Sequence, residues 1–318
     1  MKVKFWGTRG SLPTPMTTDQ FRVKAKRLLM KAANVDLSNE KAVDAYLDSR
    51  PFPDAMTFGG NTPCIEIKEG KSQVIMDCGS GLFQLGRSMM KSGIEPGTRI
   101  DIIQTHTHWD HLMGFPFFGP AYTSGTDIHI HGIHPNLKTR FEQQMDLIHF
   151  PITMEDMSAR IEFHQHECGE DFSIGPFTIG SKDLNHPGGS YSYRITSGEK
   201  AVVYATDGEY KEPTDDVFTP FVTFFKDVDI LIFDAMYPTL EKVIERENFG
   251  HSTPVIGIGL ALSAGVKKLV LFHHDPECND TQIAQSLAEA KAFVSAKETK
   301  SEMHLDIVAS YDGLQLEV

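Results

Sequence analysis

Polar and apolar residues alternate through Lys2-Val3-Lys4-Phe5-Trp6-Gly7, the two-residue period of a half-buried strand. Short apolar or alternating runs recur at 64–67, 74–77, 100–104, 128–131, 161–166, 177–182, 191–196, 201–205, 230–233 and 269–272, and each predicts a strand. Between them the period changes to that of a helix. Phe21, Ala25, Leu28, Leu29 and Ala32 predict one helix. After a break at Val35-Asp36-Leu37, a second runs from Ser38, as N-cap, through Ala42, Val43 and Leu47. Leu137, Phe141, Met145 and Ile148 predict another, as do Ile283, Leu287, Ala290 and Val294 behind Asp280 as N-cap. In Gly250-His251-Ser252-Thr253-Pro254, Ser252 or Thr253 caps a helix and Pro254 takes its first turn. The closing runs 305–309 and 314–318, around Tyr311-Asp312-Gly313, read as a hairpin. Strands interleaved with helices predict an α/β fold.

No internal repeat is visible, and 318 residues suit a single domain, 1–318, with the helical stretch at about 15–57 as an insert. That insert is a lid, a dimer surface or decoration on the core. No apolar run reaches the ~18 residues of a membrane span, and the start reads as a strand rather than a signal peptide. Cys64, Cys78, Cys168 and Cys278 lie far apart without a C-x-x-C pair, which predicts reduced thiols and a cytoplasmic protein without a Cys-based zinc site. The formal net charge of −13 opposes broad nucleic-acid affinity, because polyanion binding rests on basic patches. A compact anion is the easier ligand.

The densest chemistry lies in Thr105-His106-Thr107-His108-Trp109-Asp110-His111, directly after the strand at 100–104. Burying imidazoles and a carboxylate together is costly without compensation, and a divalent metal supplies it. Four such donors from one loop do not fit one tetrahedral ion, so the string predicts two metals. Further candidates follow strands or open a helix: His186, Asp207, His251, and His273 or His274. That is where α/β folds expose functional side chains.

This set, with Gly7-Thr8-Arg9-Gly10-Ser11, Gly59-Gly60-Asn61-Thr62-Pro63, Thr206-Asp207, Gly250-His251-Ser252-Thr253 and Leu271-Phe272-His273, resembles the metallo-β-lactamase superfamily, in its phosphodiesterase branch. RNase Z, the cyclic phosphodiesterase of phosphonate breakdown and enzymes degrading cyclic nucleotides belong to that branch. The resemblance implies an αββα sandwich of two mixed sheets with outer helices, and a homodimer. It implies that His106, His108 and His186 hold one metal, that Asp110, His111 and His273 hold another, and that Asp207 bridges them. Zinc is the first expectation for the two divalent ions, with manganese or iron as alternatives. His251 faces the phosphate, and Asp110 counts among the catalytic residues as well as the ligands.

The function this implies is hydrolysis of a small cyclic phosphodiester, a cyclic nucleotide or cyclic sugar phosphate, by metal-bound hydroxide. An RNase Z-like tRNA 3′-processing nuclease is the alternative, though the acidic balance makes RNA the weaker substrate. Non-catalytic diiron oxygen or redox sensors on this scaffold usually carry Glu where this chain has His108, and thioester or lactam hydrolysis leaves His251 without a role. Outside the set, Asp77 and Asp234 each end a strand, either orienting an imidazole or standing solvated. His129 with His131, and His164 with His166, form same-face pairs that lack a third ligand at usable spacing.

Overall fold

The computed structural model describes residues 1–210, 214–298 and 304–318. The chain builds β1 (Lys2–Gly7), β2 (Cys64–Glu69), β3 (Ser72–Met76), β4 (Arg99–Gln104), β5 (Asp127–Gly132) and β6 (Arg160–Gln165). A second series follows: β7 (Phe172–Ile174), β8 (Phe177–Leu184), β9 (Ser190–Ser197), β10 (Lys200–Ala205), β11 (Ile230–Asp234), β12 (Lys268–Phe272) and β13 (Asp306–Ala309). Finally β14 (Gln315–Glu317) returns to the first series. The two sheets run β14-β1-β2-β3-β4-β5-β6 and β13-β12-β11-β10-β9-β8-β7. Both are mixed: β3 to β6 and β10 to β13 pair in parallel, and their other pairs are antiparallel.

Alternation decides which side chains meet. Along β11, Ile230 and Ile232 enter the core between the sheets, with Val3, Phe5, Ile67, Met76 and Phe272. Leu231 and Phe233 enter a second core beneath the helices on that sheet's other face. A strand buried on both faces reads as a continuous apolar run, which is why these strands are legible. Full burial of one such side chain contributes about 2 kcal/mol. The predicted αββα sandwich is the fold observed.

The helices are α1 (Thr18–Lys31), α2 (Glu40–Asp48), α3 (Phe52–Ala55), α4 (Gly81–Ser92), α5 (Trp109–Leu112), α6 (Leu137–Gln144), α7 (Asp215–Phe224), α8 (Leu240–Glu245), α9 (Pro254–Ala264) and α10 (Asp280–Glu298). Helices α1 and α2 bury no residue. Helix α1 attaches through ion pairs of Arg27 and Lys31 with Asp54, and of Lys24 with Asp280, and Tyr46 Oη of α2 donates to Leu28 O of α1. Phe52 of α3 packs on Phe58 and Tyr311. Among the described residues no helix is long and apolar enough to cross a membrane.

Three local readings change. The closing runs form no hairpin: β13 pairs parallel with β12, and β14 pairs antiparallel with β1 in the other sheet. The turn between them carries the chain across the sandwich, tied by Ser310 Oγ to Leu271 O and by Gly313 N to Phe5 O. Asn39, not Ser38, caps α2. At α10 it is Asn279 that accepts from Gln282 N, because the Asp280 carboxylate is taken by Thr57, Phe58 N and Lys24.

Candidate metal centre

Asp77 directly follows strand β3, and its φ of 61° turns the chain out of the sheet. Its carboxylate is fully buried and accepts from Thr105 N at 2.8 Å, Tyr204 Oη at 2.9 Å and His111 Nδ1 at 2.7 Å. That last bond leaves His111 Nε2 turned towards the centre. Gln104, ending β4, donates through Nε2 to His106 O and to His111 O, closing the ligand loop. The single turn of α5 then presents Asp110 and His111 together, and Ser11 N fixes Asp110 Oδ2 at 2.8 Å.

The second sheet contributes from the ends of β8, β10 and β12. His186 donates Nδ1–H to Gly250 O at 2.9 Å, which aims Nε2 at His108 Nδ1, 3.0 Å away. Asp207 and His273 both adopt positive φ, 58° and 62°, at the strand ends. Two glycines make room. A Cβ at Gly10 would lie 2.5 Å from His273 Nδ1, and one at Gly250 only 2.0 Å from His186 Nδ1.

The seven predicted ligands converge as two groups. Donor atoms of His106, His108 and His186 lie within 4.8 Å of one another, as do those of Asp110, His111, Asp207 and His273. Asp207 stands between the groups. Its Oδ2 is 3.7 Å from His106 Nε2 and from His186 Nε2, and its Oδ1 is 3.3 Å from His111 Nε2 and His273 Nε2. Internal hydrogen bonds leave this cluster incomplete. His106 Nε2 is buried with no partner, and His111 Nε2 faces His273 Nε2 at 3.2 Å. Buried nitrogens pointed at one another in a carboxylate-rich pocket fit divalent cations.

Electrostatics agree with that donor set. Burial, with the neighbouring imidazoles, holds His106 well below its ordinary value, so it is a neutral donor. Asp207 remains ionised despite its burial because His273, His111 and His106 surround it. Burial also opposes a charge on His111, yet Asp207, Asp110 and Asp77 raise it, so a proton and a metal ion compete for Nε2.

His251 sits beside this cluster. Its Nδ1–H donates to Asp234 Oδ2 at 2.8 Å, and its ring stacks on His273 with centroids 5.1 Å apart. Burial would lower its pKa, but Asp234 outweighs that and raises it to about 9. His274 turns away and donates Nε2–H to Ser310 O at 2.8 Å, so His273 is the member of the pair in the cluster. Asp77 and Asp234 are both fully buried and orient imidazoles, which ends the solvated reading. Tyr204 carried no signal in the sequence as a support, because its partner Asp77 lies 127 positions away.

Residues 72–274, well over half of the chain, match the Beta-lactamase superfamily domain. The chain belongs to the beta-lactamase superfamily. Within it, this is a metal-dependent hydrolase of the RNase Z and phosphodiesterase branch. It is 24% identical over 290 residues to Ribonuclease Z of Picrophilus torridus, covering 77% of this chain and 89% of that protein. It is 24% identical over 209 residues to the probable metallo-hydrolase YhfI of Bacillus subtilis, 65% of this chain and 77% of that one. The crystal structure of YhfI superposes with a TM-score of 0.64 at 19% identity, covering 100% of this chain and 98% of the other. Unliganded yeast PDE1 has the same fold, with a TM-score of 0.63 at 11% identity over 100% of this chain and 99% of that one.

Proposed function

We propose that this hydrolase cleaves a small cyclic phosphodiester, a cyclic nucleotide or cyclic sugar phosphate, at a two-metal centre. The observation that carries the reading is Asp207, which offers one carboxylate oxygen to each ligand group. His106, His108 and His186 would hold one ion and Asp110, His111 and His273 the other, with Asp207 shared. Zinc suits this nitrogen-rich set first. Such ions would supply Lewis-acid polarisation of the phosphoryl oxygens and lower the pKa of a bound water towards neutrality.

The chain's own residues supply the remaining chemistry. Asp110, held by Ser11 N, would accept a proton from the attacking water. His251, locked by Asp234, would stabilise the phosphoryl oxygen or protonate the leaving alkoxide through its Nε2. His251 has work to do on a phosphodiester and none on a lactam.

Charge bears on substrate size. At −13 the protein repels an extended polyanion. A cleft of about 570 Å³ lies between Arg9, helix α1 and the start of α10, and it is lined by none of the seven candidate ligands. The insert walls this cleft through Gln20, Val23 and Lys24. The second reading, a tRNA-processing nuclease, is favoured by the Picrophilus relative named Ribonuclease Z. One assay panel separates the two: an aryl phosphodiester, 2′,3′- and 3′,5′-cyclic nucleotides, a pre-tRNA and a β-lactam. Turnover of a cyclic phosphodiester without pre-tRNA cleavage supports the proposal, and efficient pre-tRNA cleavage alone overturns it.

A further inference from the structure

Strands β5 and β6 pair in parallel with His129 opposite Glu162 and His131 opposite His164. All four side chains point to the same face, and β6 is the edge of its sheet. Two imidazole pairs result, and they differ. His131 is satisfied at both nitrogens, with Nε2–H donating to Asp101 at 3.1 Å and Nδ1 3.0 Å from His166 Nε2. His166 in turn lies flat on Phe172, with centroids 3.6 Å apart. That pair needs nothing further.

The other pair is open. His129 Nδ1 stands 2.8 Å from His164 Nε2 and 3.6 Å from Glu162 Oε2, and His164 Nε2 is 3.9 Å from the same oxygen. Donors held at ~2.0–2.2 Å around a tetrahedral ion lie roughly 3.4 Å apart, so these three edges bracket an ion's coordination triangle. The third ligand that the histidine spacing alone lacks is Glu162, two residues before His164 on the same face. Its other oxygen, Oε1, is occupied by Arg160 at 2.7 Å, leaving Oε2 for the triangle. His129 Nε2 is buried without a hydrogen-bond partner, 3.4 Å from Asp127 Oδ2. The side chains of His164 and Glu162 are 35% and 40% exposed, which opens an entry path and a fourth position for water.

We propose that His129, Glu162 and His164 form a separate divalent-metal site on this sheet edge, taking zinc or a similar nitrogen-preferring ion. None of its donors belongs to the centre around Asp207, and it does not rest on the function proposed for that centre. The competing arrangement is a metal-free relay in which His164 Nε2–H donates to His129 Nδ1.

Zinc per chain, measured on the full protein after equilibration with zinc and removal of loosely held ion, separates them. His164→Ala should hold one zinc fewer than the natural chain, and Glu162→Gln should weaken the same ion at least tenfold. Both should retain phosphodiester turnover within about twofold. Asp207→Ala should keep one zinc, which the added His164→Ala change removes. An unchanged zinc count in His164→Ala, with a melting curve showing an intact fold, establishes the relay and overturns the site. Should Asp207→Ala retain its full complement, the two-metal reading of the main centre fails instead, and the His164→Ala comparison still decides this one.

Discussion

Asp234 joins Asp207 to His251: one of its oxygens accepts the backbone N–H of Asp207 at 3.0 Å and the ring N–H of His251 at 2.8 Å. Its other oxygen takes Met236 N at 3.0 Å. A single buried carboxylate thus sets the backbone of the shared ligand and the tautomer of the histidine beside it. Asp234→Asn keeps the shape but can turn a donor towards His251. Turnover should fall about 10- to 100-fold, the scale of losing a partner that orients groups at a metal site, with a smaller loss of bound metal. Equal metal content and equal turnover in the variant would remove Asp234 from the mechanism.

Removing His251 itself separates its role from metal binding. His251→Ala should keep the ions of the main centre and lose roughly 10²- to 10⁴-fold in kcat on an alkyl phosphodiester. An aryl leaving group needs no proton, so its loss should be smaller. Identical losses on both esters would leave only charge stabilisation to His251.

Acid stability reports on a different carboxylate. Burial pushes Asp101 upward, but hydrogen bonds from His131 and Arg99 outweigh it and bring the group to about 2 from an ordinary 3.8. A folded-state pKa below the unfolded one contributes stability above pH 3.8 and loses it as pH falls towards 2. Asp101→Asn should therefore cost on the order of 2 kcal/mol near neutral pH. The gap between the two melting temperatures should close between about pH 4 and pH 2. A gap independent of pH would assign Asp101 a purely steric role.

Much of the site was legible because metal chemistry compresses its signal. His106, His108, Asp110 and His111 lie in one loop, and His186, Asp207 and His273 each follow an apolar run that ends at the same sheet edge. The sandwich was legible for a related reason, since strands such as β11 are buried on both faces. Partners across the sandwich were not legible. Nothing local shows that Tyr204 reaches Asp77, or that β13 and β14 belong to different sheets, because an alternating run specifies a face and not a neighbour. Glycine-containing α4 is not legible for a local reason: Gly81 and Gly86 break the pattern, yet Gly86 is small enough to let Phe118 lie against the helix.

The insert makes a claim about access. Helix α1 walls the cleft beside Arg9 while burying none of its own residues. Deleting 17–50 should raise kcat/KM on bulky phosphodiesters and leave compact ones within a few-fold. No change on either would make the insert decoration.

Zinc titration of metal-stripped full-length protein, with aryl phosphodiester hydrolysis followed alongside ions bound, tests the two-metal centre most directly. Asp207→Ala, titrated in parallel, supplies the baseline. Full turnover is predicted only when the natural chain holds two zinc ions more than Asp207→Ala, which itself should be inactive. Full turnover at one ion above that baseline, or activity in Asp207→Ala equal to that of the natural chain, would contradict a centre bridged by Asp207.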